Sequence, residues 1–138
     1  MSAFNFLSND VTRNQVSQSY YTVTGDISEA NLGNDHNVAV DGLTIGIPLI
    51  TSGNLGCTIF FRNTGGDANN IVSISPKNTN KIIGGMTQAA AVFHASGVLG
   101  KDLQNTKATS KTGDWVAIRA VSLTEWYIIG GQGIWASE

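Results

Sequence analysis

Two histidines, three aspartates in successive turns, one glycine–lysine loop and three tryptophans are the residues of this chain whose types could do chemistry. An imidazole holds a metal or relays a proton only with partners. Neither His36 nor His94 has a second His, a Cys or a carboxylate at metal-ligand spacing on its own strand or turn. Asp35 stands beside His36, but Asn34-Asp35-His36-Asn37 reads first as a turn. Asp26, Asp35 and Asp41 could gather around calcium, which favours oxygen-rich loops. No calcium-loop spacing is present, so solvated turn acids are the plainer reading. Gly97-Val98-Leu99-Gly100-Lys101-Asp102 looks like a phosphate loop. It has too few residues between its glycines, and Asp102 stands where the magnesium-binding hydroxyl would be. No Gly-x-Ser-x-Gly elbow occurs. A polysaccharide hydrolase would need two carboxyls about 5–10 Å apart, and no spacing picks out such a pair. The expectation is a protein that is not an enzyme, with no catalytic residue, metal or cofactor.

The tryptophans remain. Trp115, Trp126 and Trp135 all lie near the C-terminus, in Gly113–Arg119 and Glu125–Trp135. Exposed aromatic rings stack on sugars, so Trp126, Tyr127 and Trp135 permit a glycan contact. In the competing reading Trp115 and Trp126 close the core, and Trp135 caps it or packs on a neighbouring chain. At the other end Phe4, Phe6 and Leu7 interrupt a polar stretch. On an extended chain Phe4 and Phe6 point the same way. Residues 1–19 therefore read as an arm whose apolar tip tucks under its own domain or reaches a neighbour, or else as a frayed terminus. Phe4, Phe6, Leu7 and Trp135 are the candidate interface residues.

These side chains must be positioned by β-structure. Tyr20–Thr24 is rich in aromatic and β-branched residues. Leu43, Ile45, Ile47 and Leu49 alternate onto one face, and Pro48 marks an edge or ends the pairing. Cys57–Asn63, Ile71–Ser75 and Lys81–Gly85 are further strands. Met86–Ala95 reads equally as a short helix by its alanines or as a strand by Val92 and Phe93. Gly100–Lys111 reads as a loop or irregular edge. Trp115–Val121 and Trp126–Ile129 form a hairpin. The fold class is all-β, a β-sandwich or jelly-roll-like domain of about seven or eight short antiparallel strands over residues 20–138. Sixteen glycines suit that many turns.

The 138 residues suffice for one core. Charged residues are only 13% of the chain, against about 25% in an average globular protein. Asn, Ser, Thr and Gly take their place, which predicts a neutral, amide-rich surface of the kind adhesins and virus particles carry. The net charge of −2 creates no field for nucleic acid. Arg62, Lys77, Lys81, Lys101, Lys107 and Lys111 are not interleaved with aromatics as a stacking platform requires. The first 61 residues set five acids against Arg13 alone, while the rest carry seven bases and five acids. That split is either chance or a head-to-tail contact between copies. Cys57 is the only cysteine, so no intrachain disulfide forms, and its apolar setting predicts a buried thiol. There is no signal-peptide pattern, no membrane-length apolar run and no Asn-x-Ser/Thr site. A chain made in a cytoplasm and remaining soluble is expected.

Over roughly residues 38–135 the sequence resembles a β-sandwich module of bacteriophage and large-DNA-virus structural proteins. The resemblance rests on Phe61-Arg62-Asn63-Thr64-Gly65, Ile74-Ser75-Pro76, Thr106-Lys107-Ala108-Thr109, Gly113-Asp114-Trp115-Val116, Glu125-Trp126-Tyr127-Ile128 and Gly130-Gly131-Gln132-Gly133. It implies a virion protein made in the host cytoplasm: a capsid decoration or cement protein, or a fibre- or spike-tip subunit. Such subunits are often homotrimers that touch other virion proteins. The alternative is a glycan-binding module that meets host-surface sugars. The chain is one small domain without a repeat or coiled-coil stalk, which disfavours a fibre shaft.

Overall fold

In the computed structural model, residues 16–68 and 70–138 are described. Phe4, Phe6 and Leu7, and with them most of the expected arm, lie outside the described residues. The described chain is all-β. Its strands are β1 (Gln18–Tyr21), β2 (Gly25–Asp26), β3 (Asp35–Val38), β4 (Leu43–Gly46), β5 (Thr58–Asn63), β6 (Val72–Ser75) and β7 (Lys81–Ile83). They continue with β8 (Gly85–Gln88), β9 (Ala91–His94), β10 (Leu103–Asn105), β11 (Trp115–Ser122), β12 (Glu125–Gln132) and β13 (Trp135–Ser137). Two single-turn 3-10 helices, Glu29–Asn31 and Lys107–Thr109, punctuate the loops.

One sheet runs β1-β3-β5-β11-β12-β7 and the other β13-β10-β6-β4-β2, with β8 and β9 as a separate hairpin. From β1 to β7 consecutive strands alternate between the two sheets, so the chain winds as a flattened coil. Each of β3 to β6 then meets, in its own sheet, a strand laid down a full turn earlier and running in the same direction. This is why β1–β3, β3–β5, β2–β4 and β4–β6 are parallel. The purely antiparallel arrangement expected from the turn-rich sequence is thereby corrected. Hairpin geometry holds for β11–β12 and β8–β9, while β12 pairs β7 in parallel.

The two sheets share one core. Ile59 and Phe61 of β5, Val116 and Ile118 of β11, and Trp126 and Ile128 of β12 face Ile45 of β4, Val72 and Ile74 of β6, and Leu103 of β10. Leu43, Ile45 and Ile47 are buried as their alternation predicts. Leu49 is half exposed, because β4 ends at Gly46 and Pro48 cannot carry the ladder on. Gln18 and Ser19, expected in the arm, belong to β1. His36, expected in a turn, lies on β3 with its side chain buried. Residues 86–94 fall in two strands and the turn between them, not in a helix, and part of the expected loop 100–111 is β10.

The β8–β9 turn is built from Ala89 and Ala90, with φ of 45° and 64°. Two-residue hairpin turns of this hand favour Asn-Gly, because a Cβ crowds the left-handed region. Replacing Ala89→Asn together with Ala90→Gly should stabilise the protein by about 1–2 kcal/mol. A thermal melt checks it: an unchanged midpoint would mean that these alanines carry no strain.

Asparagine has a role that composition conceals. Asn37, Asn54, Asn63, Asn70, Asn80 and Asn105 are buried. Asn80 accepts from the Ile50 N–H at 3.0 Å and donates to the Leu123 carbonyl at 3.1 Å. Asn54 ties the Thr51 N–H and the Leu49 carbonyl to Glu29. These amides staple loops together in place of helices.

Candidate functional site

The outward face of the six-stranded sheet carries a continuous set of large side chains. Strand register aligns Tyr20, Asn37, Arg62, Trp115 and Gln132 in one row across β1, β3, β5, β11 and β12. The next rows place Phe60 beside Ala117, then Thr58, Arg119, Tyr127 and Ile83 side by side. The Phe60 and Trp115 rings stack with centroids 5.2 Å apart and planes inclined by 20°. The Arg62 guanidinium lies 4.9 Å above the Phe60 ring, a cation–π contact. Arg62 also reaches Asp35 at 3.8 Å and Asn37 Oδ1 at 3.4 Å. Arg119 donates through Nε to Thr58 Oγ1 at 3.0 Å.

Two glycines let the rings lie flat. A Cβ on Gly130 would meet the Trp115 ring at 3.2 Å, and one on Gly84 would meet the Tyr127 ring at 3.2 Å. Around them Tyr20 is 74% exposed and Tyr127 is 44% exposed. Val121 and Ile129 are also open to solvent, and they are the extra residues at the two bulges of β11–β12. The opposite sheet differs. Its central outward row is Thr44, Ser73, Gln104 and Ala136, small and uncharged, with Gln104 Nε2 donating to Ser73 Oγ at 2.9 Å.

Of the residues expected to touch a glycan, Tyr127 is on this face and Trp126 and Trp135 are not. Trp126 follows Glu125 and precedes Tyr127, so strand alternation turns it inward, where it pairs in register with Ile82 and is fully buried. Trp135 is 1% exposed. Its backbone N–H donates to Gln88 Oε1, its carbonyl accepts from Gln88 Nε2, and its indole N–H donates to the Gln132 carbonyl. Trp135 is thus enclosed by its own chain, which corrects its expected role as an interface or sugar contact. Trp115, expected to close the core, is half exposed instead. The sequence held a signal for this. Arg119 shares the alternation phase of Trp115, and Arg62 shares that of Phe60, and a guanidinium marks the wet side of a strand.

The charged groups do not converge. Asp26 pairs with Lys77 at 2.8 Å, Asp35 with Arg62, and Asp41 with Lys107. In each pair an acid of the first half meets a base of the second, so the uneven charge along the chain is matched within one molecule. The hydrogen bond from Lys107, and then that from the Ile71 N–H, holds the Asp41 carboxyl below its ordinary range. The Thr112 N–H does the same for Asp67. An open cleft of about 290 Å³ lies at the β2 edge of the five-stranded sheet, lined by Thr24, Asp26, Thr44, Gly46, Ser75 and Lys77 among others. Among the described residues no three His, Cys, Asp or Glu side chains are grouped to hold a metal ion. Cys57 is half-buried; burial, with Glu29 adding to it, pushes its thiol up, which keeps it protonated. Among the described residues no helix is long and apolar enough to cross a membrane.

No protein-family model matches this chain, and neither does any curated protein.

Proposed function

We propose that this protein is a structural subunit of a virus particle, a capsid decoration or cement protein or a fibre- or spike-tip subunit. It assembles through the outward face of its six-stranded sheet. The observation that carries this reading is the aromatic–arginine surface of Phe60, Arg62, Trp115 and Tyr127, bordered by exposed Tyr20, Val121 and Ile129. Tyr, Trp and Arg are the residue types concentrated at the centres of protein interfaces. An isolated domain gains nothing from holding Tyr20 and Ile129 in water, whereas a contact of about 1,000 Å² or more does. The low charge of the chain and the resemblance of residues 38–135 to virion modules support the same reading.

Sedimentation of the purified protein tests it. The wild-type chain should form a closed homo-oligomer, a trimer on this reading. The double variant Trp115→Ser, Tyr127→Ser should keep its far-UV spectrum and associate at least tenfold more weakly, about 1.4 kcal/mol. A wild-type monomer at every concentration would sink the proposal. The second reading, a glycan-binding face, is favoured by Tyr127 lying flat beside Gly84 with part of its ring in solvent. Under that reading sugars quench the fluorescence of half-exposed Trp115 and leave the oligomer unchanged.

A further inference from the structure

His36 is fully buried on the inner face of β3, beside the edge strand β1, and nothing in the proposed assembly uses it. Its Nδ1 lies 2.6 Å from the Tyr21 hydroxyl, and its ring tilts against Tyr21 and Phe61 at 5.7 and 5.5 Å. Its Nε2 is buried with no hydrogen-bond partner among the described residues. The other groups around it are few. Asn31 and Leu32 approach with backbone, and Asp35 is on the same strand but points to the opposite face, where Arg62 pairs with it.

We propose that His36 is a proton-operated latch on β1: the neutral imidazole holds the edge strand closed, and the protonated one releases it. In the neutral ring one nitrogen bonds Tyr21 and the other is tolerated as a single unpaired group. A protonated ring has two donors and a full charge. Nδ1–H must then donate to the Tyr21 oxygen, and only the Asn31 and Leu32 backbone approaches to meet the added charge. A buried charge without a counter-charge is among the costliest states a core can hold. The strand beside it, β1, is four residues long and, among the described residues, bonded along one side only, to β3. An edge strand bonded along one side opens locally more readily than the central strands. Histidine is the side chain whose charge changes between about pH 5 and 8.

The sign is fixed by burial. Burial is the largest influence on His36 and lowers its affinity for protons below the ordinary value of 6.5; the Leu32 and Asn31 backbone and Asp35 oppose it. The folded state therefore binds fewer protons than the unfolded one. The stability contributed by neutral His36 is complete above pH 6.5 and is lost as pH falls through its own lower value. Asp41 and Asp67, depressed from 3.8, lose their contribution only as pH falls below that value.

Amide hydrogen exchange of the full chain, corrected for intrinsic pH dependence, tests the latch between pH 7.5 and 4.5. Exchange of residues 18–21 should rise at least tenfold across the range, while residues 115–132 remain protected. The His36 side-chain nitrogen shifts, followed by NMR in the same samples, should titrate with the same midpoint. In His36→Phe the protection of 18–21 should no longer depend on pH. Because that variant is a core substitution, His94→Asn serves as the second arm and should leave the transition in place. If His36 titrates while β1 stays protected, or if β1 opens equally in His36→Phe, the proposal is overturned.

Discussion

Asn63→Ala is expected to cost on the order of 3–5 kcal/mol, a large share of what a domain of this size has. The reason is a buried amide chain between the sheets and the closing loops. Asn63 Nδ2 donates to Asn105 Oδ1 at 2.7 Å and to the Asn70 carbonyl at 3.3 Å. Its Oδ1 accepts from Asn70 Nδ2 at 2.8 Å and from the Gly65 N–H at 2.9 Å. Asn105 passes the chain on to Asp114 Oδ2 at 3.1 Å and the Ile134 carbonyl at 3.0 Å. Every side chain in this set is buried. Truncating Asn63 strands several of these groups at once, each at about 1–3 kcal/mol when water cannot reach it. Urea unfolding followed by tryptophan fluorescence measures the loss. Asn31→Ala, at an exposed position, is the control and should stay within about 0.5 kcal/mol. A loss below about 1 kcal/mol for Asn63→Ala would show that the network contributes little.

Trp126→Ala should cost about 3–5 kcal/mol, since it empties the largest fully buried site in the core. The more discriminating variant is Trp126→Phe. The indole Nε1–H has no partner among the described residues, so phenylalanine removes an unsatisfied donor as well as some volume. The two effects oppose each other, and the net loss should be about 1 kcal/mol. Thermal and urea unfolding of both variants give the comparison. If Trp126→Phe is as damaging as Trp126→Ala, the indole N–H is bonded after all.

The contrast between Trp126 and Trp115 shows what could be read in advance. Strands β5, β11 and β12 were legible because Ile59, Phe61, Val116, Ile118 and Ile128 alternate with polar or exposed neighbours over six to eight residues. Alternation fixes two faces without saying which is dry, and aromatic size alone pointed Trp115 inward. Its companion Arg119 was the better guide. The pairing directions were not legible, because a parallel partner lies a whole turn of chain away and leaves no local mark. The hairpin of β8 and β9 was hidden by its alanines, which suit helix and strand alike and lack the glycine of a tight turn. Strand β2 has two residues, too few for any periodicity. The buried asparagines looked like surface residues because their partners are loop carbonyls and other asparagines far along the chain. The contact face was half visible. Tyr127 was picked out, while the phase that Phe60 shares with Arg62 was not used to place Phe60 on the wet side of its strand.

The winding of β1 through β6 has a consequence for how such a molecule can change. Gln18 lies alongside Asp35, and Asp35 alongside Phe60, each a lap further along the thread. A lap gained or lost would alter the height of the body by one strand spacing per layer, about 4.8 Å. The breadth of the body, and the character of its two broad sides, would stay as they are. Height is thus a free parameter of this architecture, and lineages could tune it without redesigning the surfaces that meet other molecules.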